Sequence, residues 1–210
     1  MVSKTKIDLQ KWNRKEHFEF FSQMEEPFYG ISLSIDCTKA YQTAKAIQIP
    51  FFTYYLHKTL LAVNAVENFR LRIIDKEVYL FDRIDASVTV LREDKTFGFS
   101  FMPLQEEIQA FQEVVTQEIQ RVQNTKGLFT RDFPLVNLIH FSAIPWIDFT
   151  SLSHARGFAY EDSCPKISFG KLTQENGKYN IPMSIHVHHG LIDGYHLGLF
   201  VEEFQRLMDA

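Results

Sequence analysis

Apolar side chains recur along the 210-residue chain with two periods, and each period predicts one kind of element. A spacing of three or four residues is typical of a helix that buries one face. The clearest such helix begins at Pro103, and its apolar stripe is Leu104, Ile108, Phe111, Val115, Ile119 and Val122. Further helices are predicted at Arg14–Phe21 with Asn13 as the cap, at Phe51–Glu67 after Pro50, and after Gly194.

Alternating apolar and polar residues predict half-buried strands, as at Ile31–Ile35. Other short runs predict strands at Arg70–Ile74, Val78–Phe81, Ser87–Leu91, Phe97–Phe101, Leu135–Phe141, Lys166–Phe169 and Ile181–Val187. Helices interleaved with hairpins and strands are typical of an α+β or mixed α/β fold. We predict an α/β two-layer sandwich, in which helices cover one face of a mixed β-sheet.

The composition of the chain is that of an ordinary globular protein, apart from one excess. Apolar residues make up 45% and charged residues 23% of the chain. No linker, repeat or low-complexity tract interrupts it, so residues 1–210 are predicted to form a single domain. The 20 phenylalanines are unusual. They indicate an aromatic core, a lipophilic pocket or apolar contacts between subunits.

The net charge of the chain indicates which partners it can have, and its cysteine content indicates its cellular compartment. The net charge of −4 disfavours a broad basic surface, so we predict no nucleic-acid partner. No apolar run approaches the roughly 18 residues of a membrane span, and no apolar signal-peptide core follows the first residues. Cys37 and Cys164 lie far apart in sequence, as expected in a reducing compartment. The sequence therefore predicts a cytoplasmic protein with no membrane partner.

The densest group of chemically active residues is His186–His196. It contains His188 and His189, and Asp193 follows between two glycines. Histidine changes charge near neutral pH and is the usual general base for a hydroxyl or thiol. A lone histidine is more often a buried structural residue, but this combination favours chemistry. His186 and His188 would share one face of a strand and could ligate a metal. Because His189 faces elsewhere and no cysteine lies nearby, we predict no metal.

Other candidate groups carry weaker signals when they are taken alone. Ser142 precedes a Pro-Trp turn, but no G-x-S-x-G pattern surrounds it, which counts against a hydrolase nucleophile. No glycine-rich phosphate loop is present, which disfavours nucleotides bound in that way. Lysines 166, 171 and 178 flank a predicted hairpin turn and indicate a solvated hairpin. Cys164, which precedes a proline, is interpreted as structural.

The segment His188–Gly194 resembles the H-H-x-x-x-D-G signature of the coenzyme A-dependent acyltransferases. More specifically, the chain resembles the chloramphenicol acetyltransferase family along essentially its whole length. The resemblance also includes Trp12–Phe20 near the start and Ser142–Trp146 in the middle. Three segments in the family's order, with Ser142 and His189 at the family's spacing, make this a specific match.

The resemblance implies a role for each of four residues. His189 would be the general base that takes the proton of an acceptor hydroxyl as this attacks the thioester of acetyl-CoA. Ser142 would donate a hydrogen bond to the oxyanion of the tetrahedral intermediate. Asp193 would pair with Arg14 and fix the turn that orients His189.

The resemblance also implies where the two substrates bind. Phe97 and Phe129 match aromatic positions of the acceptor pocket, and Phe21 stands where the family often has a tyrosine. His154 replaces a leucine of the pocket, and Ser168 replaces a threonine that orders a water near the oxyanion. Coenzyme-binding positions are Lys171 and Trp146. The family pattern implies a homotrimer with active sites between subunits.

The sequence therefore predicts an acetyl-CoA-dependent O-acetyltransferase that acts on chloramphenicol through a ternary complex. His154 and the altered segment Met24–Tyr29 favour a first alternative, in which a related enzyme acetylates another small hydroxyl or amine acceptor. A second alternative is a non-catalytic module that binds small molecules. A metal protein that uses His186 and His188 is the least favoured.

Overall fold

A computed structural model describes residues 2–134, 136–156 and 161–210 of the chain. Its helices are α1 (Lys15–Phe21), α2 (Thr38–Ala46), α3 (Phe51–Ala65), α4 (Ile108–Gln123) and α5 (Gly194–Met208), with a 3-10 turn at Glu67–Arg70. Its strands are β1 (Lys4–Lys6), β2 (Phe28–Asp36), β3 (Leu71–Ile74), β4 (Glu77–Phe81), β5 (Asp85–Leu91), β6 (Phe97–Phe99), β7 (Leu138–Ala143), β8 (Lys166–Phe169), β9 (Thr173–Glu175) and β10 (Lys178–His188).

The strands form one large sheet and one small sheet. The large sheet has the order β2–β10–β8–β7–β5–β6, and β9 pairs with β10. Strand β7 runs parallel to both β5 and β8, whereas the other pairs are antiparallel, so the sheet is mixed as predicted. The hairpin of β3 and β4, also predicted, joins β1 in the small sheet.

The two faces of the large sheet differ in chemistry, because side chains alternate along each strand. One face is apolar and packs on the helices: Tyr55 of α3 contacts the rings of Phe141 and Phe169, and Phe204 of α5 also contacts Phe169. The opposite face is polar. Its members are Ser87, Thr89, His140, Ser142, Lys166, Ser168, Ser184, His186 and His188. The predicted two-layer arrangement is confirmed, and the polar face carries the candidate chemistry.

Three predictions about the ends of helices are wrong. The helix expected from Pro103 begins only at Ile108, because the preceding segment is held extended against its neighbours. There the backbone N–H of Leu104 donates to the Asp85 carboxylate at 2.9 Å. Asn13 is not the cap, since Arg14 occupies the N-cap position of α1, and the Arg14 side chain makes no capping hydrogen bond to this helix. Helix α3 ends at Ala65, two residues before the predicted end at Glu67.

Two further differences concern whole elements. Helix α2 was not predicted, because it buries only Ala40 and Ala44 and so presents a weak apolar stripe. The strand expected at Leu135–Phe141 is observed as Leu138–Ala143, and Leu135 itself lies outside the described residues. Within the described part of the chain, no helix has the length and apolar character needed to cross a membrane.

Candidate active site

His189 follows the last residue of β10 and is held between aromatic rings. Its imidazole stacks on Phe21, with ring centroids 3.8 Å apart and planes 7° from parallel. Tyr29 packs against the same imidazole, with the two ring centroids 4.2 Å apart. The backbone N–H of His189 donates to the carbonyl of Pro27 at 2.8 Å. Its Nδ1 is buried and has no hydrogen-bond partner among the described residues. Packing against Phe21 and Tyr29 therefore fixes the orientation of the imidazole, and the end of β10 determines where it lies.

Arg14 and Asp193 form an ion pair directly behind His189. Nη1 of Arg14 lies 2.5 Å from Oδ2 of Asp193, and Nη2 donates to the carbonyl of His189 at 3.3 Å. Arg14 is buried, whereas Asp193 is partly exposed. Burial alone would raise the pKa of Asp193, but the hydrogen bond from Arg14 and nearby positive charge hold it below its ordinary value. The pair thus joins α1 to the backbone that carries His189.

Asp193 is also the N-cap of α5. Its carboxylate accepts a hydrogen bond from the backbone N–H of Tyr195 at 3.1 Å. In return, the N–H of Asp193 donates to Nδ1 of His196 at 3.2 Å, which completes a capping box. The sequence predicts Asp193 in a turn, whereas the role of His196 was not predicted. An aspartate just before an apolar helical stripe is a usual capping signal and could have revealed that Asp193 is the N-cap.

A cavity of about 730 Å³ opens on the polar face of the sheet. It brings together Phe97, Phe129, Ser142 and His154, four of the predicted site residues. Other wall residues, including Thr89 and His140, were not predicted from the sequence. Their signal was the alternation along β5 and β7, which places small polar side chains on the face opposite the helices.

Ser142 lies on β7 within this cavity. Its Oγ lies 3.0 Å from Oγ1 of Thr89 on the neighbouring strand. Each hydroxyl carries one proton, so one of the two must donate to the other. When Thr89 is the donor, the proton of Ser142 is free to donate to a group in the cavity.

His154 connects the cavity wall to two buried strands. Its Nε2 lies 2.8 Å from Oγ of Ser168, and its Nδ1 lies 3.1 Å from Nδ1 of His186. Burial, and then the neighbouring His186, lower the pKa of His154 to about 4. Ser168 is 1% exposed and contacts His154 instead of lining the cavity directly.

The two residues predicted to bind the coenzyme lie close together beyond the ends of β7 and β8. Trp146 is 67% exposed in the turn that follows β7. The backbone N–H of Lys171 donates to the carbonyl of Ile147 at 2.8 Å, which ties the lysine to that turn. Gly170 permits this approach, because a Cβ atom there would lie 2.6 Å from the Ile147 carbonyl oxygen. Trp146 and Lys171 are thus exposed residues of two segments whose backbones are in contact.

The two strand histidines discussed as metal ligands have separate partners. His186 contacts His154, whereas Nδ1 of His188 accepts from the backbone N–H of Gly190 at 3.2 Å. In the residues that the structure covers, no group of three or more His, Cys, Asp or Glu side chains could hold a metal ion.

The chain keeps its two principal candidate residues apart. Ser142 aligns across β8 with Ser184 of β10, and His189 lies well beyond Ser184 along the chain. With strands about 4.8 Å apart and a rise of about 3.3 Å per residue, their Cα atoms are separated by roughly 19 Å. Neither His189 nor Phe21 belongs to the described lining of the cavity. The two candidate residues therefore lie at different places in one chain.

Comparison with known proteins gives a consistent picture. The sequence pattern of the family described as "Chloramphenicol acetyltransferase" matches residues 2–205. A chloramphenicol acetyltransferase of Klebsiella sp is 28% identical over 206 residues, which cover 98% of this chain and 94% of that relative.

Solved structures agree with the sequence comparison. A structure of a chloramphenicol acetyltransferase superposes with a TM-score of 0.88 at 28% identity, covering 98% of this chain and 100% of the other. The dihydrolipoamide acetyltransferase of Azotobacter vinelandii gives a TM-score of 0.69 at 11% identity, over 92% of this chain and 86% of the other. The second likeness, at that identity, shows the fold alone.

Proposed function

Because the chain belongs to the chloramphenicol acetyltransferase family, we propose that it transfers the acetyl group of acetyl-CoA to a hydroxyl of chloramphenicol. The observation that carries the proposal is the match across residues 2–205, together with an aromatic-walled cavity that contains Ser142. The chain would act as one cytoplasmic domain, in keeping with its low content of cysteine, since Cys37 and Cys164 lie far apart in sequence.

His189 would act as the general base. In the proposed step the imidazole of His189 takes the proton of the acceptor hydroxyl while the hydroxyl oxygen attacks the thioester carbonyl carbon. A carbon–oxygen bond forms, the carbon–sulfur bond then breaks, and the departing thiolate of coenzyme A takes the proton from the imidazolium. The packing of His189 on Phe21 and Tyr29 supports this role, since a base must be held in a single orientation.

Ser142 would stabilise the oxyanion that forms between these two steps. Its contact with Thr89 supports the assignment, because donation from Thr89 leaves the Ser142 proton for the oxyanion. Removal of one such donor typically costs roughly 3–4 kcal/mol of transition-state stabilisation. Asp193 and Arg14 would act indirectly, through the backbone and the turn that carry His189.

The active site would lie between two copies of the chain, in a homotrimer. The separation of roughly 19 Å between Ser142 and His189 within one chain supports this arrangement, since it is far beyond hydrogen-bond reach. One copy would supply His189 with Phe21, and its neighbour would supply the cavity with Ser142. Closed rings of identical subunits are a common result of such head-to-tail contacts.

Acceptor and coenzyme would enter this site on different sides. Phe97, Phe129 and His154 would wall the acceptor, with Ser168 behind His154. Trp146 and Lys171 would contact acetyl-CoA on the surface beyond β7 and β8, where an indole can stack on a base and an ammonium group can pair with a phosphate.

A second candidate function is acetylation of another small hydroxyl or amine acceptor by the same chemistry. The observation that favours it is His154, which puts a polar ring in the wall of the cavity. Both ring nitrogens of His154 already have partners, so the ring changes the shape and polarity of the wall and, with them, the acceptor that fits. A panel of acceptors would distinguish the two candidates: turnover of another compound, with none of chloramphenicol, would identify the second.

The test of the proposed function is release of free thiol from acetyl-CoA in the presence of chloramphenicol. We expect the wild-type chain to release thiol and His189→Ala to lose about 100- to 10,000-fold in kcat, the usual contribution of a general base. The matched control is His17→Ala, an exposed histidine on α1 that should leave kcat unchanged. Equal activity of wild type and His189→Ala would contradict the mechanism.

A further inference from the structure

A continuous hydrogen-bonded group on the polar sheet face links three residues of different segments. Nδ1 of His186 on β10 lies 3.1 Å from Nδ1 of His154, whose Nε2 lies 2.8 Å from Oγ of Ser168 on β8. A fourth member, Oγ of Ser184, lies 3.4 Å from Nδ1 of His186. Ser168 and Ser184 are completely buried or nearly so. Because water cannot reach them, their hydroxyl groups need hydrogen-bond partners within the protein.

Both imidazoles in this group are neutral at pH 7. Burial lowers the pKa of His154 to about 4, and burial also lowers the pKa of His186. A neutral imidazole carries one N–H and one bare nitrogen. Of the two Nδ1 atoms that face each other, therefore, one must be the donor and the other the acceptor.

Ser184 indicates which ring is the donor. If Nδ1 of His186 carries the proton, this proton can be shared between His154 and the oxygen of Ser184, as in other three-centre hydrogen bonds. If Nδ1 of His186 is bare, its single lone pair cannot accept from both neighbours. The contacts around His186 are better satisfied when it is the donor.

If His186 is the donor, the positions of the ring proton of His154 and of the hydroxyl proton of Ser168 follow. With its Nδ1 as the acceptor, His154 must carry its proton on Nε2 and donate to Ser168. The hydroxyl proton of Ser168 is then not used by His154. Ser168 is the direct register partner of Ser142 on the neighbouring strand, so its free proton lies about one strand spacing, 4.8 Å, from the proposed oxyanion donor.

We infer that His186 is a positioning residue for acetyl transfer, which holds His154 in the Nε2–H tautomer so that Ser168 can donate its hydroxyl proton toward the site of Ser142. This role rests on the proposed function. Hydrogen bonds in such a series polarise one another, so Ser168 becomes a stronger donor than an isolated serine. A hydroxyl donor of this kind suits a reaction in which negative charge develops on oxygen.

The position of the His186 ring is fixed by the neighbouring strand. Gly30 of β2 is the register partner of His186, and a Cβ atom at residue 30 would lie 2.4 Å from Nε2 of the ring. The ring thus lies flat against the only residue type that leaves room for it. This packing keeps Nδ1 of His186 aimed at His154.

The first test reads the tautomers directly and does not depend on activity. The probe is the folded protein with ¹⁵N-labelled histidine, whose side-chain nitrogen spectra separate Nδ1–H from Nε2–H rings. His154→Gln and His186→Asn identify the two signals. We expect Nε2–H for His154 and Nδ1–H for His186. The opposite assignment, with Nδ1–H on His154, would overturn the inference even if the enzyme is fully active.

The second test compares two variants of nearly equal shape. In His186→Asn, an amide N–H can replace the Nδ1–H donor, whereas the carboxylate of His186→Asp can only accept. We expect kcat to stay within about threefold of wild type for Asn and to fall about tenfold or more for Asp, with KM for acetyl-CoA unchanged. Thermal unfolding of both variants tests whether each of them folds.

Removal of Ser168 shows whether His186 acts through it. In a Ser168→Ala background the Asn and Asp variants at residue 186 should have equal kcat, because the last donor is missing. A difference that persists in this background would refute the relay. If the wild type releases no thiol at all, the proposed acetyl transfer fails, and the nitrogen spectra still decide the tautomers.

Discussion

At the scale of single residues, Asp193 joins two parts of the structure that the sequence keeps apart. Its carboxylate pairs with Arg14, which also holds the carbonyl of His189, and it caps the first turn of α5. The charge of Asp193 serves the first contact, and the position of its side-chain oxygen serves the second. Substitutions can separate these two contributions.

Asparagine at residue 193 should retain the helix cap but lose the ion pair. We expect Asp193→Asn to fold and to lose much of its activity, because the buried charge of Arg14 is left without its partner. Asp193→Ala should be less stable than Asp193→Asn by about 1 kcal/mol, the usual contribution of a cap. Urea unfolding and thiol release measure the two effects.

The control for this pair is Asp75→Asn, an exposed residue in the turn before β4 with a φ of 52°. Asparagine tolerates that backbone conformation as well as aspartate does, so stability and activity should stay as in wild type. Full activity of Asp193→Asn would show that the ion pair does not orient His189.

Sequence reasoning identified the residues of the Arg14–Asp193–His189 group but not the link between His186, His154 and Ser168. The first group lies in two short motifs whose residue types indicate their chemistry. The second depends on the register of β8 and β10 and on the segment that brings His154 over them. Neither the register of β8 with β10 nor the position of His154 over these strands produces a periodic pattern in the sequence.

At the scale of elements, glycine positions show where two segments touch. Gly170 ends β8 beside the turn that carries Trp146, and a Cβ atom there would lie 2.6 Å from both the Ile147 carbonyl oxygen and Pro182. Gly198 lies exposed inside α5 with no atom near the same position. The same substitution should therefore have opposite effects at the two sites.

Gly170→Ala should destabilise the protein by about 1–3 kcal/mol, because overpacking displaces the turn of Trp146. The displaced turn should also raise KM for acetyl-CoA more than KM for the acceptor. Gly198→Ala is the matched control and should stabilise by about 0.5–1 kcal/mol, since glycine is a poor helix former. A lower stability of Gly198→Ala would contradict this reading of α5.

Elements with strong local signals were predicted best. Strand β8 was predicted with the bounds it has, and α5 begins at Gly194, the residue after which a helix was predicted. The start of α4 was misplaced because contacts with Asp85 and His57, distant in sequence, override the local helical pattern after Pro103. The periodicity of neighbouring residues contains no information about such contacts with distant parts of the chain.

At the scale of the whole molecule, buried histidines predict how stability depends on pH. Burial lowers the pKa of His188, which is 4% exposed, to about 4. In the unfolded chain a histidine has a pKa of about 6.5, so the unfolded state takes up the proton first as pH falls. The stabilising contribution is complete above about pH 6.5 and is lost progressively below it.

Because of His188, we expect the free energy of unfolding to fall by about 2 kcal/mol between pH 7 and pH 5. His188→Gln should reduce the pH dependence by that amount in urea unfolding at the two pH values. His17→Gln, at an exposed position of α1, should leave the wild-type pH dependence intact. An unchanged slope in His188→Gln would mean that His188 takes up its proton equally in both states.

The separation of Ser142 from His189 leads to the sharpest prediction about assembly. If each site takes His189 from one copy and Ser142 from the next, His189→Ala and Ser142→Ala damage different halves of it. Each variant alone should be inactive or nearly so. A trimer assembled from an equal mixture should contain some sites with both wild-type halves.

Random mixing predicts the yield, because a restored site needs a Ser142→Ala copy to supply His189 and a His189→Ala copy to supply Ser142. The chance of this pairing is one half times one half, so about a quarter of wild-type activity should return after the two variants are unfolded and refolded together. Mixing without unfolding is the control and should restore nothing until subunits exchange. No recovery in co-refolded protein, with mixed assemblies verified by mass, would place both residues of a working site in one chain and exclude the shared site.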